Sequence, residues 1–247
     1  MTAPSSDVLL TVWERSHHRH PIERALAVLT VAWPDVEVGD WARASIGQRD
    51  CGLLGLQESL FGPQMITTTH CPGCTARLES TFRTGDVRVR VPGAPIAPTP
   101  QQVRVQDYEI EYRLPTSEDL LTIAASGVDT EAAARELLRR CILSARHADR
   151  PIDPVALPLP VLAQLGDQMT SLDPEAEILL RFTCPSCGHS WRVGFDIVSY
   201  FWSELEDWAH RTLADIHTLA SAYGWSERQI LALSPVRRQL YVDMVRA

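Results

Sequence analysis

The chain has 247 residues, with 23 basic against 31 acidic side chains and a formal net charge of −8. Every basic residue is Arg. The absence of Lys excludes a Schiff-base lysine, a phosphate-loop lysine and a lysine general base, and the absence of Asn excludes N-glycosylation. The acidic balance argues against general attraction to nucleic acid or to an anionic membrane, while 45% apolar and 22% charged residues fit a globular chain of one large or two small domains.

The first twenty residues lack a positive start followed by a long apolar run, so no signal peptide is expected. No apolar stretch approaches the roughly 20 residues that span a bilayer, and a cytoplasmic protein without membrane contact is expected. His17, His18 and His20 cluster just before Pro21 and read as a solvated helix end. Residues 7–62 read as helices with breaks. Pro21 opens one, Ile22, Leu26, Leu29 and Trp33 give its apolar face, and Pro34 stops it. Asp50–Phe61 reads as another, closed by Gly62-Pro63.

Cys71-Pro72-Gly73-Cys74 comes next and leads into an expected strand, Leu78–Phe82. Asp86–Val91 alternates charged residues with Val and predicts a second strand, and Pro-rich residues 92–100 predict a loop. Val103–Leu114 alternates again, as a strand or hairpin arm. Thr116 or Ser117 can cap a short helix reaching Ala125, and Asp129 or Thr130 a stronger one over 131–144. Four prolines between 151 and 160 mark an extended connection, and Val161–Met169 is helical. Asp173-Pro174-Glu175 opens a turn before the strand Ile178–Thr183, which runs into Cys184-Pro185-Ser186-Cys187-Gly188 and returns as Trp191–Phe195. From Leu205 to Tyr223 apolar residues recur every three to four positions, an amphipathic helix stopped by Gly224. Ser226 with Gln229, and then Ser234-Pro235, start two more.

The two matched C-P-x-C units carry the strongest signal. Two residues between cysteines let both sulfurs point into one tight turn, whose backbone N–H groups can donate to thiolates, and two such turns supply closed tetrahedral Cys₄ coordination. Cys71, Cys74, Cys184 and Cys187 are therefore the expected ligands of one structural zinc ion per chain. Cys184 lies 110 residues beyond Cys74, far more than a zinc ribbon normally allows, so the ribbon reads as split by an insert. Two redox dithiols or two disulfides are the competing readings, disfavoured in a cytoplasmic chain without a thioredoxin-like context. His70 and His189 flank a shell that four cysteines already fill, and Cys51 and Cys141 read as lone buried thiols.

The expected fold class is α+β: mostly helical, with a split Cys₄ zinc ribbon, a small α/β insert and a C-terminal helical segment. The expected divisions are an N-terminal helical region (1–66), the ribbon (67–91 with 178–197), the insert (92–177) and C-terminal helices (198–247).

Phe195-Asp196-Ile197, Trp202-Ser203-Glu204, Ile216-His217, Leu219-Ala220, Tyr223-Gly224-Trp225-Ser226-Glu227, Ile230–Leu233 and Arg237-Arg238-x-x-Tyr241 resemble a family of phage baseplate proteins, also labelled baseplate hub-assembly chaperones. They are encoded beside the tail genes of contractile-tailed phages and contractile injection systems. Gly47–Asp50, Leu53-Leu54, Phe61-Gly62 and Tyr108–Ser117 are similar to its cysteine-containing branch, so the likeness covers about residues 45–247. The resemblance implies a noncatalytic protein that helps assemble the hub or wedge of the baseplate, with baseplate or hub proteins as partners and a place in the cytoplasm or within the assembled particle.

Trp202, Trp208, Tyr223, Trp225 and Tyr241 are the candidate partner contacts, because Trp and Tyr are favoured interface anchors; each is also a candidate core residue. The alternative reading is a zinc-ribbon nucleic-acid-binding protein, with Tyr223–Tyr241 as a helix-turn-helix. Five Arg against six acids in residues 199–247 do not make a basic face. An enzyme is not expected. His210 and His217 lie seven apart, and no nucleophile elbow, phosphate loop or zinc-protease motif is present.

Overall fold

The structure is a computed structural model and describes residues 1–127 and 129–246. Four helices open the chain: α1 (Ser6–Ser16), α2 (Pro21–Ala32), α3 (Val38–Arg43) and α4 (Ile46–Phe61). Pro21 sits in the first turn of α2, where its missing N–H is harmless, and the His20 ring accepts from the Ile22 N–H while Glu23 takes the His20 N–H. The three histidines before Pro21 thus end in a helix cap. Ser45 caps α4 by accepting from the Gln48 N–H.

The hairpin β1 (Gln64–His70) and β2 (Arg77–Arg83) follows. β1 was not foreseen, since Gln64-Met65-Ile66-Thr67-Thr68-Thr69 offers few apolar residues to alternate. The strand expected at Asp86–Val91 does not form. Thr84–Val87 makes one helical turn (α5), closed by Asp86 accepting the Arg83 N–H, and the chain then runs on without strand pairing. The alternation there has another cause: Arg88 and Arg90 each reach a carboxylate, Glu58 and Asp173 respectively.

The segment between the two hairpins folds around its own core. β3 (Gln101–Val105), β4 (Tyr108–Tyr112), β5 (Ile142–His147) and β6 (Arg150–Ile152) form an antiparallel sheet in that order. The helices are α6 (Ser117–Ser126), α7 (Thr130–Cys141) and α8 (Leu159–Leu172). Ile110, Tyr112, Cys141 and Ile142 meet Val161, Leu162 and Leu165 of α8 in one buried cluster. The helix expected over 131–144 ends at Cys141, where β-branched Ile142 starts a strand that was not foreseen. Thr116 and Asp129 are the caps of α6 and α7.

The second hairpin, β7 (Ile178–Thr183) with β8 (Ser190–Phe195), leads into α9 (Ile197–Tyr223), α10 (Glu227–Leu231) and α11 (Pro235–Arg246). Gly224 takes the left-handed position that stops α9, at φ 67°. α9 is not confined to a C-terminal unit. Ile197, Phe201, Trp202 and Leu205 enter the same core as Leu26 and Leu29 of α2 and Leu53 and Leu56 of α4. No helix among the described residues is long and apolar enough to cross a membrane.

A buried polar junction ties these parts. The Asp173 carboxylate accepts from the Ser45 hydroxyl (3.1 Å), the Gly47 N–H (2.8 Å) and Arg90 Nη1 (2.6 Å). Glu175, equally buried, accepts from the N–H groups of Val89 and Arg90. On the other side Ile46 donates its N–H to the Pro115 carbonyl, and Arg49, buried, bonds Asp50 and Ser117. Gly47 cannot carry a side chain, because a methyl there would collide with the Asp173 carboxylate; likewise at Gly55 it would meet Pro92 Cγ at 2.5 Å. These mid-helix glycines weaken α4 but allow the close approaches.

Gly47→Ala is expected to displace Asp173 and lower stability by about 3 kcal/mol, read as a shift in the urea midpoint. Burial raises the Asp50 carboxyl to about 6 against the pull of Arg49, with the charges of Asp196 and Asp173 adding to the rise. The folded chain then holds this proton more tightly than the unfolded chain, so the penalty is present above about 6 and is relieved as pH falls from there towards 4. Compared with Asp50→Asn, the wild type should therefore gain stability between about pH 7 and about pH 5; parallel urea midpoints for the two proteins would contradict this.

Candidate metal centre

Each C-P-x-C unit is the turn of one hairpin. In the first, the Cys71 N–H donates to the Ala76 carbonyl (2.9 Å) and the Thr75 N–H to the Cys71 carbonyl (2.8 Å). In the second, the Cys184 N–H donates to His189 (2.8 Å) and the Gly188 N–H to Cys184 (2.9 Å). The two turns share one bonding pattern, with Thr75 and Gly188 at equivalent left-handed positions, φ 60° and 73°. Glycine meets that need without strain; Thr75 meets it with its hydroxyl donating to the Cys74 carbonyl at 2.7 Å.

The equivalence runs down the strands. Met65 and Ile178 are both buried in the main core, and Phe82 and Phe195 meet edge to face with centroids 5.2 Å apart. The hairpins therefore converge as a pseudo-twofold pair, their bases in the helical core and their tips together.

At the tips, Cys71 Sγ lies 3.6 Å from Cys187 Sγ, and Cys74 Sγ 3.6 Å from Cys184 Sγ. All four sulfurs are within 4.8 Å of one another. A disulfide needs about 2.05 Å, so the sulfurs are neighbours and not bonded pairs. A tetrahedral ion with metal–sulfur bonds of about 2.3 Å requires sulfur–sulfur edges of about 3.8 Å, which this group fits. The four cysteines expected as ligands are thus brought together by hairpins from the two ends of the insert, in a geometry that could hold a metal ion. Among the described residues no histidine belongs to this or any other such group, so His70, His189 and the His17–His20 cluster stand outside it.

The backbone favours thiolate at one sulfur in particular. Burial resists ionisation of Cys184, yet N–H groups of Cys187 and Ser186 and the adjoining sulfurs of Cys74 and Cys71 bring it down to about 6. For Cys187 a backbone bond from His189 favours the thiolate, but the crowded sulfurs and desolvation push it up to about 12. Four like groups this close cannot all ionise without a cation between them. Cys51 and Cys141 differ: burial pushes them to about 11 and about 12, as befits the lone thiols expected there.

The aromatic candidates separate into two groups. Trp202 is buried in the main core with the Arg24 guanidinium 4.7 Å above its ring, so it presents no surface for a partner; Trp208 is half-buried. Tyr223, Trp225 and Tyr241 pack on one another, with centroids 4.8 to 6.0 Å apart, where α9, α10 and α11 meet. Asp173, Glu175 and Arg90 were not foreseen as a unit. Their signal, isolated acids beside a proline and an Arg in a Val-rich run, gives no hint that they meet.

No protein-family model, characterised protein or solved structure matches the chain.

Protein purified without chelator is expected to carry about one divalent metal ion per chain. Cys184→Ser should abolish stoichiometric metal and lower stability by about 3 kcal/mol or more, measured by metal analysis and thermal melting. Full metal content with unchanged melting would contradict the site.

Proposed function

We propose that this chain is a noncatalytic, zinc-stabilised assembly factor or component of the baseplate, hub or wedge, of a contractile phage tail or contractile injection system. The observation that carries the zinc part is the four-sulfur group. A tetrahedral set of four soft thiolates suits zinc, and four protein ligands leave no open position for water or substrate. Such an ion stabilises the fold and performs no hydrolysis.

The baseplate part rests on the resemblance over residues 45–247, and the exposed face of α11 supports an assembly role. Val236, Leu240 and Met244 recur every fourth residue there, all more than half exposed. Tyr223 is exposed too and packs on Tyr241 of α11, so the aromatic group around Tyr223, Trp225 and Tyr241 and this apolar stripe are the contact surface for a baseplate or hub subunit in this reading. The nucleic-acid alternative is less well supported: of the Arg237-Arg238 pair, Arg238 is buried against Asp215 and offers no free cation to phosphate.

Co-expression with each neighbouring baseplate subunit, followed by pull-down, tests the reading. One subunit should co-purify, and Leu240→Glu should weaken that capture by about tenfold while metal content stays unchanged. Deleting the gene should leave sheath and tube proteins made but few particles assembled. Normal particles in the deletion strain, or capture that is indifferent to Leu240→Glu, would refute the proposal.

A further inference from the structure

The two hairpins share a framework but differ on their outward faces. On β7–β8 that face carries Leu179, Arg181 and Thr183 opposite Gly194, Arg192 and Ser190, all exposed. Arg181 and Arg192 stand directly across from each other. Like charges on one rung repel and weaken a two-stranded sheet. Among the described residues neither guanidinium has a carboxylate within ion-pair distance. Nor does the framework require them, because the equivalent rung of β1–β2 is Thr68 opposite Glu79. The sheet thus keeps two unneutralised cations side by side where its sister keeps none.

The neighbouring rungs extend the pattern. Towards the tip, the Thr183 and Ser190 hydroxyls bond each other at 2.9 Å. Towards the base, Leu179 is 47% exposed and faces Gly194, which has open space above it. An apolar notch therefore lies two residues from the arginine rung, on the same face. In an extended partner, side chains at i and i+2 share a face with the same rise of about 3.3 Å per residue.

We propose that the outward face of β7–β8 docks an extended acidic segment of a partner protein, setting a carboxylate on the Arg181–Arg192 rung and an apolar side chain on the Leu179–Gly194 rung. Paired guanidiniums hold a carboxylate through charge-assisted, fork-shaped bonds and lose their mutual repulsion in doing so. The surroundings favour a short acidic peptide over nucleic acid. Glu177 and Asp196 lie beyond the notch at the base of the strands and the whole chain is at −8, so a long polyanion meets repulsion past the base where a short segment does not. This surface is distinct from α11 and does not rest on the baseplate reading.

The test uses the full-length, metal-loaded chain and fluorescence anisotropy. Its ligands are a labelled short peptide repeating Glu-Ser-Val-Ser, which sets Glu and Val alternately along one face, the same peptide with Gln for Glu, and a single-stranded DNA oligonucleotide. The Glu peptide is expected to bind, weaken with added salt, and exceed the Gln peptide by about tenfold. The double variant Arg181→Thr, Arg192→Glu copies the sister rung. It should keep its metal and melt no lower than the wild type, since repulsion is removed, yet lose peptide binding by about tenfold or more. Equal affinity for the Gln peptide, binding unchanged in the variant, or a preference for the oligonucleotide would overturn the proposal. So would a fall in the variant's melting temperature, which would mark the arginines as structural.

Discussion

Everything about this chain's shape depends on bringing together two hairpin tips that are far apart in sequence. Each hairpin alone is a two-stranded sheet of six or seven residues per strand, below the size that holds itself together in water. Their bases lean on the helical core through Met65, Ile178, Phe82 and Phe195, while at the tips the four sulfurs meet and Gly73 sits close against His189. Closing a loop of this length removes about 4–5 kcal/mol of conformational freedom from the unfolded chain in the simple closure treatment, so a clasp at the tips acts on the whole fold. The contact of Arg90 with Asp173 and Glu175 is the second fastening, between the same two segments on the insert side.

Local chemistry made some elements readable from sequence. Pro21, Thr116, Asp129, Ser226 and Gly224 act through their own backbone neighbours, and the helix ends they set lie where expected. The four cysteines were readable because their spacing reports a turn geometry. What escaped was set by distant partners. β1 is a strand because β2 and the core take it, despite its threonines; Asp86–Val91 has strand alternation but spends its arginines on Glu58 and Asp173. Trp202 has the composition of an interface anchor, and only packing places it beneath Arg24 in the core.

The junction also gives physical content to segments that stood out only as patterns. Ser45–Asp50 and Leu114–Ser117 meet through Ile46 with Pro115, Ser45 with Thr116, and Arg49 with Ser117. Arg113 and Asp119 add a bidentate pair at 2.6 and 2.8 Å. Burial raises the Asp119 carboxyl, but the Arg113 and Thr116 bonds outweigh it and hold the group below its usual range. Residue identity is restricted there because buried charges must find partners at fixed distances.

The fastening of Arg90 to Asp173 at 2.6 Å has a consequence for modularity. The intervening segment leaves the frame and returns to it at nearly one point, and its own core owes nothing to the helices outside. Beyond the Leu114–Ser117 contact with α4, a unit attached in this way can be lengthened or exchanged without shifting the strands on either side. The pair of hairpins is in this sense a socket: the four-cysteine frame stays constant while most of the material carried between its halves is open to replacement.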